Sequence, residues 1–369
     1  MKVLFVVNVD FSLRHFVLPL MRAARERGHE VIGACAEGPL LDIPRSEGFR
    51  VVAMPFVRGL SPAANWRALR ELQALIRAEK PDLVHGHMPI SGLLARIAAR
   101  REGVPRVAYT CHGFLFNQPG PMWRRGLSLA LERLGGRLTD VFITVSEEEA
   151  RDARRLGIHR EAVAVLNGRD PDRFRPDPEA RAAIRAELGA AEGDCVVTAV
   201  SRLVRHKGHP ELLRAMESVP GAILWVVGER LASDHGEDLE PAFARAAEVL
   251  GPRLKRLGYR HDVGRILAAS DIFCLPSHFE GLPMSVIEAM LTGLPVVATD
   301  ISGPREMVAD GETGLIVPPM TVEPLARALN RLAEDPALRV RMGAAGRARA
   351  MDRYDERGQM ARTMTLLGL

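Results

Sequence analysis

Short apolar runs alternate with helical segments along almost the whole chain, and this alternation restricts the fold more than any other feature. In the first half the runs lie at 2–8, 30–35, 51–54, 82–85, 106–110, 141–145 and 163–166. In the second half they lie at 195–201, 223–227, 254–257, 271–275, 296–299 and 314–317. Helical patterns fill the intervals, for example at 13–27, 62–78 and 91–100, and two more end the chain at 322–333 and 336–367. Apolar strands separated by helices of about 10–15 residues predict parallel sheets covered on both faces.

Residues 167–178 interrupt this alternation with three prolines and several charges, which is typical of an interdomain linker. A chain of 369 residues is also long enough for two domains. We therefore expect an α/β protein with two doubly wound Rossmann-like domains that face each other across a cleft. The predicted boundaries are 1–170 for the first domain, 171–178 for the linker and 179–351 for the second domain. In such sheets ligands bind outside the carboxyl ends of the strands.

Composition excludes several classes of protein. No segment approaches the ~20 consecutive apolar residues of a membrane span, and the first eight residues lack a cleavage site, so they predict a strand and not a signal peptide. The four cysteines are far apart, which indicates reduced thiols in a cytoplasmic protein and not a disulfide framework or a zinc site. No basic module with interleaved aromatic residues is present, which argues against a nucleic-acid partner.

The charge is uneven between the two halves. Residues 1–178 carry 27 Lys and Arg against 20 Asp and Glu, whereas the remainder carries 23 against 26. A basic first half favours an anionic partner, such as a phosphate-bearing acceptor or a membrane surface, although an ordinary arginine-rich surface explains it equally well. Within 100–137, the residues Trp123, Arg124 and Arg125 precede an amphipathic run at 127–134. One hypothesis is contact with a lipid diphosphate or anionic membrane, and the alternative is a helix packed on its own domain.

The stretch 277–288 carries the first candidate site. It follows the apolar run 271–275, turns at Glu280 and Gly281, and enters a helix in which Pro283 suits the first position. The amino end of a helix presents free N–H groups and a partial positive charge, so it suits a phosphate. Glu280 and Glu288 are acids beside that end, and carboxylates accept hydrogen bonds from sugar or ribose hydroxyls. The alternative is that Glu280 only favours the helix dipole and Glu288 is a solvated surface residue.

Three further loops follow strands of the second half. Arg202 and Lys207 lie after the run 195–201, where two cations would neutralise a diphosphate, unless the loop is only a solvated basic turn. Gly228 follows the next run and would let a ligand approach the backbone closely. Arg260, after the run 254–257, would flank a nucleotide base, or would belong to a simple surface turn.

In the first half, His112 ends a predicted strand, where its imidazole would hydrogen-bond a sugar or a departing phosphate. A histidine satisfied by its own domain is the alternative. His85 and His87 lie at another strand end, but a metal there would need a third ligand. Asp170 and Asp172 have the spacing of an Asp-x-Asp metal motif, but they lie in the proline-rich linker. We therefore expect neither a metal nor a cofactor.

At this point a family resemblance is visible. Arg202 and Lys207, together with Glu280 and Glu288, resemble the signature of the retaining nucleotide-sugar glycosyltransferases of family 4, or glycosyl transferases group 1, which have the GT-B fold. Residues 167–176 resemble that family's interdomain segment, and 110–113 resemble its first-domain histidine motif. The resemblance covers essentially the whole chain. It implies that the last helix, at about 352–369, crosses back to the first domain, which would be the acceptor side, while 179–351 would bind the donor.

The resemblance also implies roles for individual residues. Glu280, His112 and Lys207 would act at the reacting sugar and the leaving group. Glu280 would bind the sugar hydroxyls and Glu288 the ribose. The remaining donor contacts would come from Arg202, Lys207, Gly228, Arg260 and the backbone of Gly281, Leu282 and Met284.

The first strand–helix loop departs from the common family pattern, because residues 8–16 contain no glycine. This version resembles the subgroup that extends lipid-linked saccharides, and it makes Asn8, Ser12 and His15 the candidate acceptor-binding residues. It also counts against a dinucleotide dehydrogenase, whose first turn needs glycines.

The expected reaction moves a sugar from a nucleotide-diphosphate sugar, with UDP favoured, to a saccharide or polyprenyl-diphosphate-linked saccharide with retention of configuration. The expected place is the cytoplasm, with peripheral contact at the inner face of the cytoplasmic membrane. A nucleotide-sugar 2-epimerase on the same fold, and a non-catalytic nucleotide-sugar-binding protein, remain as alternatives.

Overall fold

The computed structural model describes residues 1–57, 61–118, 120–230, 234 and 236–369. The chain divides into two compact units, one formed by Met1–Leu166 with Arg357–Leu369 and the other by Asn167–Glu356. Residues 167–178, where we expected a linker, group with the second unit. The last helix groups with the first.

The first unit is built on a seven-stranded sheet in which neighbouring strands run parallel, in the order β3-β2-β1-β4-β5-β6-β7. The strands are β1 (Lys2–Val6), β2 (Glu30–Cys35), β3 (Arg50–Ala53), β4 (Leu83–His87), β5 (Arg106–Cys111), β6 (Val141–Thr144) and β7 (Val163–Ala164). Each predicted run of the first half therefore overlaps a strand, with ends that differ by a few residues.

Among the described residues, seven α-helices of the first unit precede Asn167. They are α1 (Asp10–Ser12), α2 (Leu18–Glu26), α3 (Asp42–Ser46), α4 (Pro62–Glu79), α5 (Pro89–Arg101), α6 (Met122–Gly136) and α7 (Glu147–Arg155). The helix predicted at 13–27 differs from expectation, because it begins at Asp10 and contains a π-helical turn at Leu13–Val17. Such turns interrupt the regular helical ladder and are frequent at functional sites.

The sheet of the first unit separates two apolar layers. Val3 and Phe5 pack on one face, and Leu4 and Val6 pack on the other. This follows from the two-residue period of a strand, and it explains why the run is continuously apolar.

The second unit has a six-stranded parallel sheet in the order β10-β9-β8-β11-β12-β13. Its strands are β8 (Cys195–Val200), β9 (Ala222–Val227), β10 (Leu254–Gly258), β11 (Ile272–Leu275), β12 (Val296–Thr299) and β13 (Gly314–Val317). Each matches a predicted run. Because β8 and β11 are neighbours although β9 and β10 lie between them in sequence, the connections reverse direction between these two strands, which is where open α/β sheets bind ligands.

The helices of the second unit are α8 (Pro178–Leu188), α9 (His209–Glu217), α10 (Glu240–Leu250), α11 (Val263–Ala268), α12 (Met284–Leu291), α13 (Pro304–Met307), α14 (Glu323–Glu334) and α15 (Pro336–Arg353). A last helix, α16 (Glu356–Leu367), follows α15. The single helix expected at 336–367 is thus wrong, because the chain breaks at Tyr354 and Asp355. Within the described ranges, no helix combines the length and apolar character that crossing a bilayer requires.

Candidate active site

The loop after β8 carries Arg202 and Lys207, and it packs directly against the loop after β11. Gly208 makes this packing feasible, because its φ of +75° is left-handed and a Cβ atom there would lie 1.9 Å from the carbonyl oxygen of Pro276. His209 Nε2 lies 3.0 Å from Ser201 Oγ and 3.1 Å from the carbonyl oxygen of Arg202. Burial lowers the pKa of His209 to about 4, so this imidazole is neutral at pH 7.

Lys207 and Glu280 form the central contact of the site. Lys207 Nζ lies 2.6 Å from Glu280 Oε1, and Ser277 Oγ donates to the same oxygen at 2.6 Å. The carboxylate residue is only 8% exposed. Both donors bond to Oε1. In the described part of the chain no hydrogen bond reaches Oε2, so this second oxygen is available to accept from a ligand. Sequence reasoning missed Ser277, although a hydroxyl three residues before Glu280 is a visible signal.

The helix beside this contact, α12, begins at Met284 with Pro283 as its N-cap residue, one position before the place we predicted for Pro283. The Gly281 carbonyl oxygen lies close to Gly303, whose φ is +86° and where a Cβ atom would be 1.9 Å from that oxygen. Gly303 therefore fixes the turn that leads into α12. The backbone of 281–284 thus lies at the amino end of a helix, where N–H groups remain free for an anion.

Glu288 lies in the second turn of α12 and is held by a residue that sequence reasoning did not assign. Arg169 Nε donates to Glu288 Oε1 at 2.7 Å. Asn167 Nδ2 donates to the carbonyl oxygen of Leu282 at 2.7 Å, which uses a backbone group that we had expected to face the donor. Residues 167–169 therefore contact both α12 and the turn that precedes it.

Arg202 forms an ion pair with Asp234 through Nη1 and Oδ1. Its side chain is 33% exposed, so the guanidinium keeps a solvent-facing part. Arg202 and Lys207 thus share one loop as predicted, but each is paired with a carboxylate of the second unit.

A buried carboxylate on α9, Glu211, connects the two loops. It accepts from Arg205 Nη1 at 2.8 Å, and His278 Nε2 lies 3.4 Å from its Oε2. Burial acts to raise the pKa of Glu211, but hydrogen bonds from His278 and Arg205 outweigh it and lower that pKa to about 2. Glu211 therefore ties the loop of Lys207 to the loop of Glu280.

Two predicted donor residues lie farther along the carboxyl edge of the sheet. Gly228 has a φ of +128°, and a Cβ atom there would lie 2.1 Å from the Ser201 carbonyl oxygen. It lines a cavity of about 330 Å³ together with Leu203, Val226, Glu229, Arg256 and Gly258. Arg260 instead pairs with Asp262 at 2.8 Å and Glu187 at 2.9 Å. Among the described residues, no hydrogen bond or ion pair joins Arg260 to Lys207 or Glu280, so its role in donor binding stays a prediction.

In the first unit, His112 belongs to a group of three imidazoles. Its Nε2 lies 3.1 Å from His87 Nδ1, and the His85 and His87 ring centroids are 4.1 Å apart. Burial lowers the pKa of His112 to about 4 and that of His85 to about 3, so both rings are neutral at pH 7. His112 Nδ1 is buried with no hydrogen-bond partner among the described residues. No cluster of metal-ligating side chains is found in the described ranges.

The predicted acceptor residues occupy the start of the first unit's chain. Asn8 Oδ1 is buried without a hydrogen-bond partner in the described part of the chain. Ser12 is 6% exposed at the end of α1, and the His15 ring packs on that of Phe11 with a centroid distance of 4.4 Å and an interplanar angle of 45°. Phe16, in the π-helical turn, packs on His112 with a centroid distance of 5.0 Å. The π-helical turn therefore places this segment beside His112.

Two family models match the chain on either side of the division between units. Residues 14–173 match glycosyltransferase family 4, and residues 180–349 match glycosyl transferases group 1. Together they span most of both units.

Individual relatives agree with these models. The chain is 30% identical over 368 residues to a Bacillus subtilis protein named as glycosyltransferase EpsD, covering 96% of this chain and 93% of the relative. It is 30% identical to an Escherichia coli UDP-Gal:alpha-D-GlcNAc-diphosphoundecaprenol alpha-1,3-galactosyltransferase, with coverage of 83% and 80%. It is 33% identical to a Mycolicibacterium smegmatis GDP-mannose-dependent alpha-(1-6)-phosphatidylinositol monomannoside mannosyltransferase, with coverage of 73% and 72%.

Solved structures show the same fold. The Anabaena protein Alr3699/HepE, crystallised with UDP, superposes with a TM-score of 0.82 at 23% identity, covering 100% of both chains. The sucrose-phosphate synthase of Thermosynechococcus elongatus gives a TM-score of 0.86 at 20% identity, covering 99% of this chain and 98% of that one. The two Rossmann-like units are those of the GT-B fold. The chain belongs to the group 1 glycosyltransferases of family 4, and it is a glycosyltransferase.

Proposed function

We propose that this enzyme transfers a sugar from a nucleoside-diphosphate sugar, with UDP-sugars first, to a saccharide or polyprenyl-diphosphate-linked saccharide, with retention of configuration. The observation that carries the proposal is the contact of Lys207 and Ser277 with Glu280 at the amino end of α12. It sets a cation, a fixed carboxylate and free backbone N–H groups within one small region. A sugar diphosphate has hydroxyls for the carboxylate and negative oxygens for the cation and the helix end.

The chemistry follows from where charge develops. Breaking the bond between the anomeric carbon and the diphosphate oxygen builds negative charge on phosphate and positive charge on the sugar. Lys207, Arg202 and the amino end of α12 stabilise the leaving diphosphate, since fixed charges in a water-poor site need no reorganisation during the reaction. The acceptor oxygen then bonds to the anomeric carbon on the face that the diphosphate leaves, and the acceptor proton passes to a diphosphate oxygen. No metal or cofactor takes part.

We propose roles for several of the other predicted residues. Glu288 accepts hydrogen bonds from the ribose, and Gly228 permits close approach of the nucleoside beside its cavity. His112 is neutral, and it contacts the sugar through its buried Nδ1. Asn8 and His15 contact the acceptor, while Ser12 supports them, because it is buried.

The printed names of relatives support the donor and acceptor classes. The Escherichia coli relative is named for UDP-galactose and a diphosphoundecaprenol saccharide, and the Mycolicibacterium smegmatis relative for GDP-mannose and a phosphatidylinositol mannoside. Nucleoside diphosphates and lipid-borne acceptors are common to both names. UDP-sugars and GDP-sugars are therefore the first donors to test.

A membrane-borne acceptor also fits one face of the first unit. On α6 the side chains of Trp123, Leu127 and Leu134 are 65%, 42% and 46% exposed and follow one another at helical spacing, forming an outer stripe. Arg124 and Arg133 flank this outer stripe and are exposed, whereas the acid of the helix, Glu132, is buried. An apolar stripe between cations suits an anionic bilayer surface. The enzyme thus acts in the cytoplasm, at the inner face of the membrane.

The donor is tested by thermal shift with UDP, GDP, ADP, CMP and NAD at millimolar concentration. A ligand present at 100 times its dissociation constant adds about 2.7 kcal/mol to native stability. We expect UDP or GDP to raise the melting temperature, and the matching nucleotide sugars to be consumed only when an acceptor is present. A shift with NAD alone would overturn the proposal. Isomerisation of the donor without any acceptor, with no loss of total nucleotide sugar, would favour the epimerase.

The membrane contact is tested by sedimentation with vesicles of phosphatidylglycerol and phosphatidylcholine, compared with phosphatidylcholine alone. We expect binding to the anionic vesicles and its loss in Trp123→Ser. Trp66→Ser removes another exposed tryptophan of the same unit, 57% exposed on α4, and should bind as the wild type does. Equal sedimentation with both vesicle types would contradict the membrane role of the outer stripe.

A further inference from the structure

We infer that Arg169 is a positioning residue of the donor site, which orients the Glu288 carboxylate toward the ribose hydroxyls of the nucleotide. This inference rests on the proposed role of Glu288. It starts from the 2.7 Å hydrogen bond between Arg169 Nε and Glu288 Oε1. The two side chains are 15% and 11% exposed, so water competes weakly for this contact.

The backbone of Arg169 is held at a fixed point. Its N–H donates to the Tyr354 carbonyl oxygen at 2.9 Å, and its carbonyl oxygen accepts from Glu356 N at 3.3 Å. Gly168 allows this approach, because a Cβ atom there would lie 2.5 Å from the Glu356 Cα. The guanidinium therefore extends from an anchored position. All of these bonds use main-chain atoms, so replacing the Arg169 side chain leaves them in place.

One oxygen of the Glu288 carboxylate bonds to Arg169, and the other is available to accept a hydrogen bond from a ligand. Oε1 accepts from Arg169, and within the described ranges no second hydrogen bond to this carboxylate is found. A carboxylate has acceptor positions for about four hydrogen bonds, so a ribose diol can share it with the arginine. With its Oε1 fixed by a planar guanidinium, Glu288 loses little rotational freedom when the diol binds.

A purely structural role for Arg169 makes a different prediction from an orienting role. If Arg169 only stabilises the fold, its replacement weakens the binding of every nucleotide to the same extent. If it orients Glu288, the loss appears only when the ligand carries the hydroxyls that Glu288 binds. The ribose hydroxyls therefore provide a test that does not depend on the identity of the sugar.

The experiment is isothermal titration calorimetry of wild type, Arg169→Gln and Arg169→Lys with UDP, GDP and the 2′,3′-dideoxy forms of both nucleotides. We expect Arg169→Gln to raise the dissociation constant of the natural nucleotide by about 10- to 100-fold, the range for one hydrogen bond to a charged group. The dideoxy nucleotide should bind wild type and variant equally well. Arg169→Lys keeps the charge without the planar Nε donor, so its affinity for the natural nucleotide should lie between those of wild type and Arg169→Gln.

Controls separate the possible failures. Arg175→Gln alters an exposed arginine of the same segment and should bind as wild type. Equal weakening of natural and dideoxy nucleotides by Arg169→Gln, or no weakening of either, would overturn the inference. If wild type itself binds the natural and dideoxy forms equally, the ribose role of Glu288 in the proposed function is wrong. Arg169→Lys supplies the comparison if Arg169→Gln does not fold.

Discussion

The contact between Lys207 and Glu280 predicts that a second substitution can restore stability to a Lys207 variant without restoring its activity. Lys207→Met leaves Glu280 with Ser277 as its remaining donor, while the side chain of Glu280 is 9% exposed. Removing one partner of a buried ion pair costs about 3–5 kcal/mol. Because Lys207 is 16% exposed and water can reach the vacated position, we expect the lower end, about 3 kcal/mol. Glu280→Gln should cost less, since the amide still accepts from Ser277.

Adding Glu280→Gln to Lys207→Met removes the uncompensated charge, so the double variant should regain about 2 kcal/mol over Lys207→Met alone. Activity should not return. Each single variant and the double variant should lose at least tenfold in turnover, which corresponds to about 1.4 kcal/mol of transition-state stabilisation.

Tryptophan fluorescence can follow the second unit by itself. The chain has three tryptophans, of which Trp225 is buried in the second unit and Trp66 and Trp123 are exposed in the first. In a Trp66→Phe, Trp123→Phe background, urea unfolding reports on Trp225. A double variant no more stable than Lys207→Met would refute the stabilising contact. Wild-type turnover in either single variant would refute the site assignment, whatever its stability.

Three further predictions concern stability. The pKa of Glu211 is lowered from 4.5 to about 2, so its contribution is present above pH 4.5 and lost as the pH falls toward 2; Glu211→Gln should flatten the acid-unfolding curve of the second unit in that window, measured by circular dichroism. Gly208→Ala should destabilise the protein by about 3 kcal/mol, because left-handed strain adds to a clash with Pro276, and it should weaken UDP binding. Gly28→Ala, with a φ of +81° but no neighbouring atom within 4 Å, should cost only about 1 kcal/mol. Arg96→Met should cost about 3–5 kcal/mol because buried Glu132 loses its cation, and Arg96→Met with Glu132→Leu should recover most of it in a urea titration.

The sequence predicted the strands well for a physical reason. The central strands, such as β4, β8, β11 and β12, are buried along nearly their whole length, so their sequences are mostly apolar. The edge strands β3 and β10 are partly exposed. The π-helical turn at Leu13–Val17 was missed because its side chains keep a helical pattern. Pro19, which lacks the N–H that would bond to the His15 carbonyl oxygen, is a signal beside it that the sequence offered. The break at Tyr354 was also missed, since neither Tyr354 nor Asp355 is a strong helix breaker.

For the site, strand-end position and charge were sufficient to find Lys207 and Glu280, which the structure places in contact. Their neighbours were harder to find. Arg169 and Asp234 are remote in sequence from the carboxylate and the cation that they meet, and their partners depend on tertiary packing. Arg260 pairs with Asp262, only two residues away, and its role as a donor contact stays a prediction.

The helix α16 makes the first unit discontinuous, and this has a consequence for synthesis on the ribosome. Met364 and Leu367 are fully buried in the same apolar cluster as Val3 and Phe5. That cluster cannot close until the last residues of the chain have been made. At about 5–20 residues per second, the roughly 200 residues after Leu166 take on the order of 10–40 s to add. During that interval most of the newly made chain belongs to the second unit, Asn167–Glu356, and the older half of the nascent chain still exposes apolar surface that a chaperone can bind.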